Sequence, residues 1–476
     1  GMTKVFIHPF AGVLSAYGMG LAEIRALRQG QFNKPLDMQS TTEATAMMQR
    51  MQNAASDEVT AQGADAADLS LVQSAHVRYA GSHQALEVPF GAASEMRAAF
   101  DESHRAIYGF ADPDREVVFE AISVEAIGLA DTLAQDTLEH QNTDPVPVDQ
   151  VRITAGGDVH TAPLYRRDDL RPGQSVQGPA IISETTGTVI VEPEWGAEVD
   201  QFGNLICTRL VARSSVELVS AQADPVMLEV FNNLFMSIAE QMGATLANTA
   251  YSVNIKERLD FSCALFDPEG GLVANAPHVP VHLGSMGESV RTIIDNNKDS
   301  MVAGDVFMLN APFNGGTHLP DVTVITPVFD DAGQDVLFYV GSRGHHADIG
   351  GRTPGSAPPD STHIDEEGVL IDNFKLVDQG RFLEAETRAL LGSGPYPCRN
   401  IDDNIADLAA QIAANETGAK EVRKMVAQFG IGAVQAYMGH VQDNAEESVL
   451  RQVKNALFFR NVYHLDSGQQ IQVDIQ

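Results

Sequence analysis

The chain has 476 residues, 44% of them hydrophobic, which is enough to build more than one core. Its 31 Lys and Arg stand against 64 Asp and Glu, a formal charge of -33, which repels phosphate backbones and anionic head groups and argues against nucleic acid and membrane partners. No apolar run approaches the roughly 20 residues that span a bilayer, no leader precedes the first strand, and Cys207, Cys263 and Cys398 form no CxxC pair, so a cytoplasmic chain without a zinc knuckle or disulfide framework is expected.

Residues 5–7 read as a strand, residues 8–12 as a turn, and Leu14, Leu21 and Ile24 as one face of a helix. A second helix is expected at about 42–53, with a polar Ala/Asp/Gln tract to Asp68. Alternation then predicts a hairpin through Tyr79, Gly81 and Val88, a helix over 95–108, and short strands from Val117 to Cys207 punctuated by Pro and Gly. A boundary falls near 213–223, because Asp224-Pro225 supplies an N-cap and a first-turn proline for a periodic helix through Leu228, Phe231, Phe235, Ile238 and Met242. The expected fold is mixed α/β (α+β) in two modules, 2–212 and 224–476, joined by a linker at 213–223. Strands and loops of the second module lead into helices at 405–414, 419–429 and 433–450.

Six of the 14 histidines fall in the 86-residue window 278–363, where an even spread would put about two or three. Two Gly-rich groups, GGTHLPD ending at Asp321 and GHHADIGG beginning at Gly344, flank β-type runs at 322–329 and 336–340. The turn-forming DDAGQD joins those runs. A hairpin centred on Gly333 pairs residues whose numbers sum to about 666, which sets Asp321 opposite His345. That places His318, Asp321, His345, His346 and Asp348 in one neighbourhood. Imidazoles with a carboxylate at a strand end suit Mn, Fe or Zn and leave positions for water. Adjacent strand residues face opposite ways, so only one of His345 and His346 is expected to be a ligand.

The run KERLDFS adds Arg258 and Asp260. Arg258, Arg343 and Arg352 are candidate carboxylate clamps. Asp260, His282 and Asp348 complete the substrate-binding candidates, with His278 and His282 in supporting roles because their spacing across Pro280 does not read as a helical same-face pair. Neither GxxxxGK[ST] nor a strand-linked GxGxxG occurs, so no nucleotide-phosphate cradle is expected.

The segments DFSCALFDPEGG, APHVPVHLGSM, NAPFNGGTHLPDVTVITPVF, SRGHHADIGGRTPGS and RNIDDNIADLAAQIAAN resemble the amino-terminal half of the hydantoinase B family. HPFAGVLSAYGMGLAEIR, VRYAGSHQALEVPF, YRRDDLRPGQSVQGPAII and WGAEVDQFGNLI resemble the carboxy-terminal end of the hydantoinase A family. Both on one chain, in that order, is similar to the oxoprolinase branch of the hydantoinase/oxoprolinase family. The resemblance implies ATP-dependent opening of a small cyclic amide, the lactam of 5-oxo-L-proline, to L-glutamate. It also implies a divalent metal on residues matching His318, Asp321 and one of His345 and His346. N-methylhydantoinase-like amidases and ketone carboxylase-like metalloproteins share the activation logic, and a catalytically inert fragment is the alternative outside enzymology. The family's Mg-ATP region lies upstream of the matching part and its B half continues beyond it. A middle third that is inactive alone is therefore expected, working as a homo-oligomer or with the remaining portions.

Overall fold

The computed structural model describes residues 2–82, 84–128, 137–155, 157–211, 222–356, 358–453, 459–464 and 470–475. The first part of the chain runs β1 (Lys4–Ile7), α1 (Leu14–Gly20), β2 (Ile24–Pro35), α2 (Met38–Ala61), β3 (Leu69–Tyr79), β4 (Leu86–Pro89), α3 (Ala93–Tyr108), β5 (Val117–Gly128), β6 (Asp149–Ala155) and β7 (Asp158–Arg166). Short strands follow: β8 (Ser175–Gln177), β9 (Ala180–Ser183), β10 (Thr188–Val191), β11 (Trp195–Val199) and β12 (Leu205–Arg209). Next come α4 (Pro225–Thr249), α5 (Val253–Lys256), β13 (Phe261–Phe266), β14 (Leu272–Asn275), α6 (Pro280–Asn297), β15 (Val306–Leu309), β16 (Asp321–Phe329) and β17 (Val336–His345). The last elements are β18 (Phe374–Asp378), β19 (Arg381–Phe382), α7 (Glu384–Leu391), α8 (Ile401–Phe429), α9 (Ile431–Val453), β20 (Phe459–His464) and β21 (Gln470–Ile475). The mixed α/β class read from the sequence is the class observed.

The chain divides into two compact units, the first comprising Gly1–Gly30, Glu43–Ser74 and Ile122–Glu217, the second Gln31–Thr42, Ala75–Ala121 and Leu218–Gln476. Of the expected linker at 213–223, residues 213–221 lie outside the described residues. The first unit holds the four-stranded sheets β1-β12-β11-β8 and β10-β9-β7-β6, with Leu170, Val176, Ile182, Val191, Val199 and Leu205 in its core. Arg167 binds Glu184 at 2.8 Å and donates to the carbonyls of Ile7 and Gly203. A further sheet has the order β2-β5-β3-β4. Three local expectations are corrected. Ile24 opens β2 and is not helical, α2 begins at Met38, and the tract from 54 stays helical to Ala61 because its alanines keep propensity high despite their polar neighbours.

The second unit is built on a seven-stranded sheet, β14-β13-β17-β16-β15-β18-β19. Ala264, Phe266, Phe307, Leu309, Ile325 and Tyr339 pack with Met286, Val290 and Ile293 of α6. The alternate residues Cys263, Leu265, Val328, Phe338 and Val340 pack with α4, α8 and α9. Burial of both faces explains why β16 reads DVTVITPVF with little polar alternation. Asp224 caps α4 as expected, its Oδ1 accepting from the backbone N–H groups of Val226 and Met227. Among the described residues no helix is long and apolar enough to cross a membrane.

The helices expected at 405–414 and 419–429 are one helix, α8. Gly418, which looks like a breaker, lies inside it, where an added Cβ would meet Met242 Sδ of α4 at 2.4 Å. The glycine serves helix–helix approach. Gly418→Ala should therefore lower stability by about 1–3 kcal/mol through overpacking. In a Met242→Ala background the same change should be neutral or should gain up to about 1 kcal/mol from helix propensity, as read by urea denaturation of the four proteins of the cycle.

Candidate metal centre

Strand pairing fixes the site. β16 and β17 pair antiparallel from Asp321↔His345 through Val322↔Gly344 and Thr323↔Arg343 to Val328↔Phe338, with a bulge only beyond Val328. This is the register read from the sequence. Because neighbours along a strand alternate faces, Asp321, Thr323, Arg343 and His345 share the face covered by α6. On β13, paired to β17, Ser262 stands opposite Arg343 and belongs to the same face.

Helix α6 presents His282, Ser285 and Ser289 to this face. Its start corrects the expectation of a Pro-interrupted segment: Pro280 occupies the first helical turn, where it has no hydrogen bond to lose and its ring presets φ. His282 Nε2 lies 3.2 Å from Asp321 Oδ2, and its Nδ1 lies 3.3 Å from Ser262 Oγ.

His318 arrives on the loop between β15 and β16. Asn310 anchors this loop, its carboxamide N–H groups donating to the carbonyls of Leu319 and Val369 and its Oδ1 accepting from Ile371 N–H at 2.7 Å. Gly315 has φ +83°, and a Cβ on Gly316 would come within 2.3 Å of the Asn310 carbonyl oxygen, so the Gly-Gly pair is a steric requirement of the turn.

Asp321 is 2% exposed. Its Oδ2 lies 2.9 Å from His318 Nδ1 and accepts from Thr317 Oγ1 at 3.0 Å, while Oδ1 lies 3.1 Å from His345 Nδ1. Burial acts to raise the Asp321 carboxyl, but the hydrogen bonds of His282, His318 and His345 overcome it and hold the group well below the usual carboxylate range. In return, the hydrogen bond that His345 donates to Asp321 raises His345. The side-chain ligand atoms of His318, Asp321 and His345 all lie within 4.8 Å of one another. Two donors about 2.1 Å from one tetrahedral ion would sit about 3.4 Å apart, so two imidazoles and one carboxylate at these spacings fit a divalent ion. The cluster is deep at Asp321 and open at His318, whose side chain is half exposed.

The other expected residues are distributed as follows. Asp260 Oδ2 lies 3.9 Å from His345 Nδ1, and its carbonyl accepts from His345 N–H. Arg258 is exposed close by, its charge opposing protonation of His345. Arg343 is fully buried under the cluster. Its Nε bonds Thr323 Oγ1 at 2.7 Å and its guanidinium also bonds the Ser285 and Ser289 hydroxyls, which leaves no free fork for a ligand. Burial pushes it down to about 10. His346 points to the opposite sheet face, between Gln411 Oε1 at 3.1 Å and Asn404 Nδ2 at 3.0 Å. Asp348 is occupied by Arg399 at 2.5 Å, and Arg352 by Asp360 and Glu366. His278 accepts from Cys263 N–H beside Phe261, and His363 caps a short turn.

Sequence reading missed the polar stripe of α8. Asn404, Asp407, Gln411 and Asn415 recur at helical spacing and are buried. Gln411 Nε2 donates to the carbonyls of Val322 and Ser342, and Asn415 Nδ2 donates to that of Val324, so the helix locks the hairpin from behind. The signal was the 404-407-411-415 spacing within an Ala-rich helix. Gln411→Leu should cost about 2–4 kcal/mol, because two strand carbonyls and His346 lose their partner, whereas His318→Ala at the half-exposed rim should cost under about 1 kcal/mol. Urea denaturation in chelator-containing buffer makes the comparison.

A profile described as hydantoinase B/oxoprolinase matches residues 224–476, and one described as the hydantoinase/oxoprolinase C-terminal domain matches residues 33–207. The chain is 41% identical over 471 residues to 5-oxoprolinase 1 of Arabidopsis thaliana, covering 96% of this chain and 37% of that protein. It is 36% identical over 471 residues to 5-oxoprolinase of Dictyostelium discoideum, covering 98% of this chain and 36% of that one. It thus spans little more than a third of the length of these relatives. Among solved structures, an ATP-dependent caprolactamase from Pseudomonas jessenii is similar over 54% of this chain and 45% of that one, with 27% identity and a TM-score of 0.48. With one profile covering more than half of its length and the second covering most of the remainder, the chain belongs to the hydantoinase/oxoprolinase family.

Proposed function

We propose that this chain is the central segment of an ATP-dependent 5-oxoprolinase, which opens the lactam of 5-oxo-L-proline to L-glutamate, with ATP handled by a part of the protein outside the segment. The observation that carries this reading is the His318, Asp321, His345 set, closed at the carboxylate and open at one imidazole, in a chain that aligns with proteins named 5-oxoprolinase along nearly its whole length. The order of the two family matches, A-type before B-type on one chain, favours this branch over separate-subunit hydantoinases.

A five-membered lactam resists opening, and transfer of phosphate to its amide oxygen would create a better leaving arrangement. A divalent ion, Mn, Fe or Zn by its donor set, held by His318, Asp321 and His345 would supply Lewis acidity toward an oxygen of the reacting group or of water. The chain's own residues prepare the place. His282 and Thr317 occupy lone pairs of Asp321 and fix its carboxylate plane. Asp260, 3.9 Å from His345 Nδ1, stands where it can accept a proton at its carboxylate oxygen. The exposed guanidinium of Arg258 is placed beside the cluster where it could meet a substrate carboxylate, whereas Arg343 is committed to hydroxyls.

Elemental analysis after purification should find about one divalent ion per wild-type chain and almost none in His318→Ala or Asp321→Ala. His282→Ala should keep its ion with affinity about 10- to 100-fold weaker, and His346→Gln should match wild type. Equal contents in all five proteins would remove the centre.

In the protein that carries this segment, glutamate release from 5-oxo-L-proline should require ATP. Asp321→Asn should lower kcat by about a hundredfold or more, corresponding to about 2.7 kcal/mol of lost transition-state stabilisation. ATP-dependent turnover of hydantoin but not of 5-oxo-L-proline would reassign the substrate.

A further inference from the structure

A cavity of about 280 Å³ opens in the second unit, on the side of α5 that ends at Lys256. Phe100, Tyr108, Phe110 and Phe382 form its walls, and the carboxy-terminal end of α4, at Asn248 and Thr249, forms its polar edge. A volume near the low end of the ligand-pocket range, with aromatic walls on one part and polar side chains such as Gln84 and Asn248 on another, suits one small ligand with a flat body and a polar end.

Three charged residues line it. Arg115 is bound to Glu384, and Asp402 is bound to Arg388 at 2.7 Å. The Lys256 ammonium has no ion-pair or hydrogen-bond partner among the described residues. The lining therefore carries one uncompensated cation, placed at the open side because Lys256 is exposed.

At the closed side stands His104, 9% exposed. Its Nδ1 lies 2.8 Å from the Phe110 carbonyl and must donate to it, which leaves Nε2 as an acceptor with no partner among the described residues. Burial pushes His104 down to about 4, so the ring is neutral and keeps that acceptor at neutral pH.

We propose that this cavity is a binding site, separate from the His318–Asp321–His345 cluster, for a small cyclic carboxylate: the Lys256 ammonium takes the carboxylate, the aromatic walls take the ring, and His104 Nε2 accepts a ring N–H. The segment that leaves the cavity at Lys256 reaches the cluster four residues later at Asp260, whose carbonyl binds His345 N–H. Occupancy of the cavity would thus be felt on the chain that borders the centre. The choice of 5-oxo-L-proline as the first probe rests on the function proposed above, whereas the carboxylate class rests on the lining alone.

Binding is read by calorimetry on the intact chain in EDTA, so that no result depends on a metal, with 5-oxo-L-proline, cyclopentanecarboxylate and uncharged 2-pyrrolidinone as probes. Saturable binding is expected in the order 5-oxo-L-proline, then cyclopentanecarboxylate, then 2-pyrrolidinone, with at least a tenfold span. Lys256→Met should weaken 5-oxo-L-proline at least tenfold without moving Tm, Lys256→Arg should restore most of the affinity, and Asp321→Asn should change it less than twofold. Equal binding by wild type and Lys256→Met would overturn the site, as would saturable binding of none of the probes. Loss in Asp321→Asn with retention in Lys256→Met would also overturn it, by placing the ligand at the cluster. Absence of metal from the wild-type chain would count against the proposed function while leaving this measurement intact.

Discussion

A carboxylate as deeply buried as Asp321 is tolerable only if several donors converge on it, and that requirement organises the centre. Desolvation of a lone carboxylate would cost several kcal/mol. Here the charge is met by His318, His345 and His282 on three different elements, with Thr317 added from the preceding loop. Each donor depends on a separate piece of folding: the strand register for His345, the glycine turn for His318, the helix start at Pro280 for His282. Removal of the carboxylate would leave three imidazoles without their common acceptor, so the cluster is held together by its one buried carboxylate.

Beneath it, Arg343 presents the complementary case of a fully buried cation whose direct partners are neutral. Its guanidinium is held by Thr323, Ser285 and Ser289, and the nearest opposite charge acting on it is Asp321. Hydroxyls satisfy the N–H donors without cancelling the charge, so its field is directed at the carboxylate above. The same α6 interface continues past Met286 and Val290 into an apolar core. One helix face therefore both packs the sheet and carries the polar floor of the site.

Much of this was legible in the sequence, because a hairpin register needs only a centre and uninterrupted strands. The Asp330 to Asp335 turn supplies the centre, and the bulge beyond Val328 lies close to the turn, so the pairs from Val328 out to Asp321 keep the expected sum. The choice between His345 and His346 was left open, although the pairing of Asp321 with His345 already puts those two on one face and His346 on the other. What was not legible is what covers each face, because the covering helices α6 and α8 come from distant sequence. Pro280 was read as an interruption because a proline looks the same at a first helical turn as in a loop. The α8 stripe was overlooked because Asn404, Asp407, Gln411 and Asn415 would read identically on a solvated face. Only the Ala-rich surroundings, which permit close approach on all sides, distinguish the buried case.

Close approach is also what joins the frame to the site. Gly418 lets α4 and α8 meet at Met242, and α8 then delivers Gln411 to the carbonyls of Val322 and Ser342 on the two paired strands. Those carbonyls lie directly behind Asp321 and Arg343, one residue along each strand. A shift of α8 would therefore be transmitted to the hairpin through these hydrogen bonds as well as through the close packing of α8 on the sheet. The spacing of His318, Asp321 and His345 is thus set on the face of the sheet that carries none of these three side chains, and substitutions there should alter any metal affinity of the cluster through that spacing while leaving all three side chains in place.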